Sequence, residues 1–194
     1  RVPDPQVLAD CRQQRAVWPG ALVLAVGRLA PVKGFDLLLQ AWPRDAAAHL
    51  LILGDGPEHG ALQQQIAQLG LSEQVTLGGH SSAVTEWLHV ADAMVISSHR
   101  EGFSYVLIEA LQAACPVLSS NVGVAQSILP KQYKVAPSDP AALSSLLARE
   151  ISRLSDLRSD QKDFYEISRS EFTLVAMAEK TLNLYLALRD HSHE

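Results

Sequence analysis

Five short apolar runs, each closed by a loop of small residues or followed by a helical stripe, constrain this chain more than anything else in it. Leu22-Val23-Leu24-Ala25-Val26 ends at Gly27, and Phe35, Leu38, Leu39 and Trp42 then follow at helical spacing. His49-Leu50-Leu51-Ile52-Leu53 ends at Gly54-Asp55-Gly56-Pro57 and leads into Leu62, Ile66 and Leu69, stopped by Gly70. Val75-Thr76-Leu77 precedes Gly78-Gly79 and a stripe of Val84, Trp87, Leu88 and Ala91. Ala93-Met94-Val95-Ile96 precedes a helix over 105–114, Pro116-Val117-Leu118-Ser119 reads as the fifth strand, and 132–136 offers a sixth. A strand apolar at nearly every position is buried on both faces, which requires helices on both sides of a parallel sheet. With right-handed crossovers, the predicted fold is α/β: a doubly wound, Rossmann-like parallel sheet.

Beyond residue 140 only helical stripes remain: Leu143, Leu146, Leu147, Ile151 and Leu154, then Val175, Ala178, Leu182, Tyr185 and Leu186. The expected division is a linker over 1–20 with one short helical turn, a sheet domain over 21–140, and a helical tail over 141–194. That tail packs either on the sheet domain or on another domain. With 16 Lys+Arg against 21 Asp+Glu, the formal charge is −5, which argues against broad nucleic-acid binding because phosphates need a basic face. Cys11 and Cys115 form no disulfide framework and no metal-ligand spacing, so a reducing, cytoplasmic setting is expected. No apolar run approaches the ~18–20 residues of a membrane span. The start, Arg1-Val2-Pro3-Asp4-Pro5, is not a signal peptide, and a chain beginning at Arg is expected to be part of something longer.

In a doubly wound sheet, ligands bind beside the loops at the carboxyl ends of the strands. The first such loop, Gly27–Gly34, places Arg28 and Lys33 five residues apart. Two cations there suit an anion such as a diphosphate, although loop cations also commonly face water. The loop after the fourth strand, Ser97–Ser104, contains Glu101, and Glu109 follows inside the next helix. A carboxylate accepts hydrogen bonds from a sugar or ribose diol. The other reading has Glu101 answering the helix dipole and Glu109 on a solvated face, except that Glu109 stands between Leu107, Ile108, Ala110 and Leu111 and so calls for a partner. Gly54–Pro57 reads as a tight strand-to-helix turn, with Pro57 as the first helical residue and a weak nucleotide contact as its further role. His80 and His99 follow strands and reach the same edge, with surface roles the alternative; His191 and His193 read as a solvated tail. No D-x-D pair, phosphate loop or nucleophile elbow occurs, so no metal is expected at a diphosphate.

Taken in order, the motifs Gly27-Arg28-Leu29-x-x-x-Lys33-Gly34, Leu53-Gly54-x-Gly56-Pro57, Ala91-Asp92-Ala93, Ser97-Ser98-x-x-Glu101-Gly102-Phe103 with Glu109-Ala110, and Pro116-Val117 resemble the group-1 glycosyltransferases, the retaining GT-B enzymes of glycosyltransferase family 4. The resemblance covers roughly residues 20–130. It implies that this chain is the C-terminal, donor-binding domain, and that Arg28 and Lys33 hold the diphosphate of a nucleotide-sugar. It further implies that Glu101 holds the donor sugar, Glu109 the ribose, and Gly102, Phe103 and Ser104 the sugar and phosphates, with Gly27 beneath them and Gly79 and His80 near the base. Arg28, Lys33 and Glu101 would serve catalysis. UDP or GDP sugars, a sugar or lipid-linked acceptor held by a second domain, polysaccharide synthesis, no metal, and membrane contact only through that second domain complete the expectation. The chain departs from the family at Ala114, where Gly is usual, at Val124, where a second Gly follows Gly123, and at Gln126 and Ser127, where a Glu is usual. These departures keep two alternatives open: a non-catalytic GT-B interaction domain and a relative of the nucleotide-sugar epimerases.

Overall fold

The computed structural model describes residues 2–191. Its elements run α1 (Pro5–Arg15), β1 (Ala21–Val26), α2 (Phe35–Ala41), β2 (Ala48–Leu53), α3 (His59–Gln68), β3 (Val75–Gly79), α4 (Val84–Val90), β4 (Ala93–Ile96), α5 (Tyr105–Gln112), β5 (Val117–Ser120), α6 (Ala125–Ile128), β6 (Lys134–Val135), α7 (Pro140–Ile151), α8 (Leu154–Asp160), α9 (Lys162–Glu171) and α10 (Leu174–His191). The six strands form one parallel sheet in the order β3-β2-β1-β4-β5-β6. The order reverses between β1 and β4, so the crevice that such sheets use for ligands opens there.

Pleating explains why the central strand β1 is apolar throughout. Val23 and Ala25 of β1 enter one core with Phe35 and Leu38 of α2, Leu62 of α3, and Leu143 and Leu147 of α7. Leu22 and Leu24 enter the other core with Trp87 of α4, Leu107 and Leu111 of α5, and Tyr165 of α9. Both faces are therefore sealed, and the doubly wound fold stands as predicted. Cys11 and Cys115 are both buried free thiols. Burial pushes the Cys115 thiol up to about 12, which removes it as a nucleophile at neutral pH.

The structure differs from the sequence reading at two places, and it bears on the tail. Residues 5–15 form a helix of 11 residues where a linker with one short turn is expected. Asp4 caps it, accepting from the N–H groups of Gln6 (2.9 Å) and Val7 (3.1 Å), and Pro5 occupies the first turn. Pro57 lies in a turn ahead of α3, which begins at His59. On α10, Val175, Leu182 and Tyr185 are exposed, so this part of the stripe does not pack on the sheet. The side chain of Leu186, and His193 with its neighbours, lie outside the described residues.

Candidate donor site at the carboxyl edge

The loop after β1 and the loop after β4 flank the crevice and are tied together through their backbones. A short 3-10 turn, Pro31–Lys33, is closed by Gly34 in the left-handed region (φ 61°). A Cβ on Gly34 would stand 2.4 Å from the Ser97 carbonyl oxygen, so only glycine permits this approach. The His99 N–H donates to Val32 O (2.9 Å), and the Ser97 hydroxyl donates to Lys33 O (2.9 Å).

That wiring brings Lys33 and Glu101 into contact across 68 residues of sequence. Lys33 Nζ donates to Glu101 Oε1 at 2.6 Å, with the lysine stem lying close over Gly27. The Ser98 hydroxyl donates to the same oxygen at 2.8 Å. The side chains are 24% and 12% exposed, so the pair is shielded enough to matter and open enough to meet a ligand. Gly123, after β5, closes the far side: a Cβ there would stand 2.7 Å from Gly102 O and 3.0 Å from the Glu101 Cβ. Its φ is 51°, whereas Val124 sits at φ −66°, where any residue is comfortable. The backbone conformation thus requires glycine at 123 and does not require it at 124. Ala114 does occupy a left-handed position (φ 55°) that glycine would fill without strain, but it lies at the far end of α5.

The other cation of the first loop points elsewhere. Arg28 is exposed and lines a groove of about 340 Å³ with Val26, Gly27, Leu53, Gly54, Asp55, His80, Ser81 and Val84. The backbone of the third loop supports it, because Leu29 N–H donates to Asp55 O (3.0 Å) and Glu58 N–H donates to Leu29 O (3.1 Å). Gly79 has a left-handed backbone with open space around it, and His80 follows it into the groove. The expected residues therefore fall into two adjoining groups: Lys33 with Glu101, and Arg28 with His80. Gly27 belongs to both.

Ser104 is buried just ahead of α5, while Phe103 is 47% exposed and meets Tyr105 edge-on at 5.1 Å between ring centroids. Gly102 is exposed. Glu109 is exposed and its carboxylate makes no hydrogen bond or ion pair among the described residues, contrary to the expectation that its apolar neighbours demand a partner. The reason is helical phase: Tyr105 and Glu109 share the outward face, while Leu107, Ile108, Ala110 and Leu111 turn inward. His99 donates to or accepts from Ser138 Oγ at 2.7 Å. Asp55, Ser81 and Val84 also line the groove; Asp55 and Ser81 lie in loops that follow strands, but none of the three was singled out as a ligand group.

At the topological switch point of this doubly wound sheet, the loops after β1 and β4 bring a lysine and a shielded carboxylate together, at the edge where open α/β sheets take their ligands. The family of Glycosyl transferases group 1 matches residues 12–171, and the chain belongs to that family. An uncharacterized glycosyltransferase of Methanocaldococcus jannaschii is 30% identical over 176 residues, covering 84% of this chain and 44% of the relative. The fold matches the Anabaena protein HepE, solved with UDP, at a TM-score of 0.83 and 22% identity, over 95% of this chain and 53% of that one. It also matches the C-terminal domain of a group 1 glycosyl transferase, LpcC, from Francisella tularensis, at a TM-score of 0.72 and 21% identity, over 89% of this chain and 95% of that domain. The chain thus spans less than half the length of its jannaschii relative and nearly all of a single C-terminal domain. No helix among the described residues is long and apolar enough to cross a membrane.

Proposed function

We propose that this chain is the donor-binding half of a retaining glycosyltransferase, holding a nucleotide-diphosphate-sugar at its carboxyl edge. Together with an acceptor-binding domain it transfers the sugar to a sugar or lipid-linked acceptor. The carrying observation is the Lys33–Glu101 pair at 2.6 Å beside the groove lined by Arg28 and His80. UDP bound to HepE, on the same fold, supports a nucleotide as the ligand. Retention of configuration rests on the motif order that resembles the retaining enzymes.

In this reading the base and ribose lie along the groove toward His80, with Glu109 reaching the ribose hydroxyls. The diphosphate meets Arg28 and Lys33, and Glu101 accepts from the sugar hydroxyls. Breaking the bond between the anomeric carbon and the phosphate oxygen leaves positive charge on the sugar and negative charge on the nucleoside diphosphate. The two cations stabilise that leaving group, an effect strengthened where water is thin, and they carry the neutralisation without a metal. The two buried thiols support a reducing, cytoplasmic setting, with any membrane contact made through the acceptor domain.

The test is calorimetric titration of the chain with UDP, GDP and ADP in buffer containing EDTA. One nucleotide is expected to bind, and Arg28→Ala is expected to weaken it at least about tenfold, the loss of one charge-assisted contact. Failure of all three to bind, or binding that EDTA abolishes and magnesium restores, contradicts the reading.

A further inference from the structure

We propose that Ser98 is a positioning residue that holds Glu101 in place when Lys33 turns to the donor, an inference that rests on the donor-site reading above. Glu101 Oε1 accepts from two groups of unlike character: Lys33 Nζ at 2.6 Å and Ser98 Oγ at 2.8 Å. Lys33 ends a flexible four-carbon stem and is 24% exposed, so an arriving anion draws it away. Ser98 is 2% exposed and has a single rotatable side-chain bond, so it stays.

The consequence for Glu101 is specific. Without Ser98, departure of Lys33 frees a long side chain to sample several rotamers, and the sugar must then order it at a cost in binding. With Ser98 in place, Oε1 remains occupied and Oε2, which has no protein partner among the described residues, is held ready to accept from sugar hydroxyls. The neighbouring serine does the matching work on the other loop, since Ser97 Oγ donates to Lys33 O. Ser98 acts through Glu101 and touches neither the nucleotide nor its phosphates.

The experiment is a double-mutant cycle read by calorimetry. Wild type, Ser98→Ala, Glu101→Ala and the double variant are titrated with UDP, GDP and ADP and with UDP-glucose, GDP-mannose and ADP-glucose. For the pair that wild type binds, Ser98→Ala is expected to weaken the sugar nucleotide about tenfold and the bare nucleotide less than about twofold. In the Glu101→Ala background, adding Ser98→Ala is expected to change nothing further. Ser98→Cys keeps the volume with a weak donor and gives the same loss should the alanine variant not fold. Equal weakening of both ligands, no weakening of either, or a further tenfold loss in the Glu101→Ala background overturns the role of Ser98 while leaving the donor site standing. A wild type that binds no nucleotide and no sugar nucleotide removes both together.

Discussion

The two edges of this sheet use the same kinds of side chain in opposite ways. At the amino edge the side chains that brace the starts of β1, β4 and β5 are paired within the protein, although His49 Nδ1 and Gln74 Oε1 are buried without a partner among the described residues. Asp92 accepts from the N–H of Leu22 (2.7 Å) and from Arg15 (3.3 Å), while Arg15 also donates to Trp18 O and Gly20 O. Gln161, fully buried, both donates to the carbonyl and accepts from the N–H of Val117, each at 2.9 Å, and Arg158 donates to Ala91 O. At the carboxyl edge Arg28, His80 and Glu109 are exposed, and the Lys33–Glu101 ion pair keeps a carboxylate oxygen without a partner among the described residues. Closed polar networks hold a structure together, because leaving one member unpaired in a buried place is expensive. Open ones are available to a ligand. The contrast separates structural from functional charge without appeal to either residue type or net balance.

The largest expected effect lies at the open edge. In a protein joining this chain to an acceptor-binding domain, Lys33→Ala should lower turnover at saturating donor about a hundredfold, near 2.7 kcal/mol of transition-state stabilisation. Near-normal turnover would take Lys33 out of the mechanism. At the closed edge, Gln161→Ala should cost about 2–3 kcal/mol in urea unfolding, since it strands two buried backbone groups. Donor affinity should be unchanged; a matching loss of affinity would blur the distinction between the edges. Glu109→Ala sharpens it from the other side, with nucleotide affinity about tenfold weaker and stability within about 0.5 kcal/mol of wild type. Unchanged affinity would remove Glu109 from ribose binding. The smallest effect belongs to neither edge: Ala114→Gly should raise stability by about 0.5–1 kcal/mol by relieving a left-handed alanine, with donor affinity untouched. A loss of stability there would show that the backbone strain is not real.

The closed edge is also where the sequence was hardest to read. Strands β1, β2, β4 and β5 were legible because burial on both faces leaves a largely apolar run, broken only by His49 in β2 and by Ser119 and Ser120 in β5. Helix α1 was obscured by Pro3, Pro5 and a polar surface, since it commits only Cys11 to the core, though Asp4 before Pro5 is a proper cap signal. At the open edge, Arg28, Lys33 and Glu101 were each visible as charged residues in loops that follow strands. Their partition was not, because it depends on β1 and β4 lying side by side, a fact of topology that joins Lys33 to Glu101 and leaves Arg28 facing His80. Glu109 misled because its sequence neighbours are apolar, whereas on a helix the residues one position away point elsewhere. Ser97 and Ser98 were in the motif, but a hydroxyl's partner across the fold leaves no trace in a sequence.

Amide chemical-shift mapping of the chain, on addition of whichever nucleoside diphosphate binds, tests the difference between the edges most directly. The account predicts that the largest changes fall within 27–34, 79–84 and 97–104, with Leu22, Asp92, Val117 and Gln161 unmoved. Changes centred on that second set, or spread evenly over both edges, would contradict it.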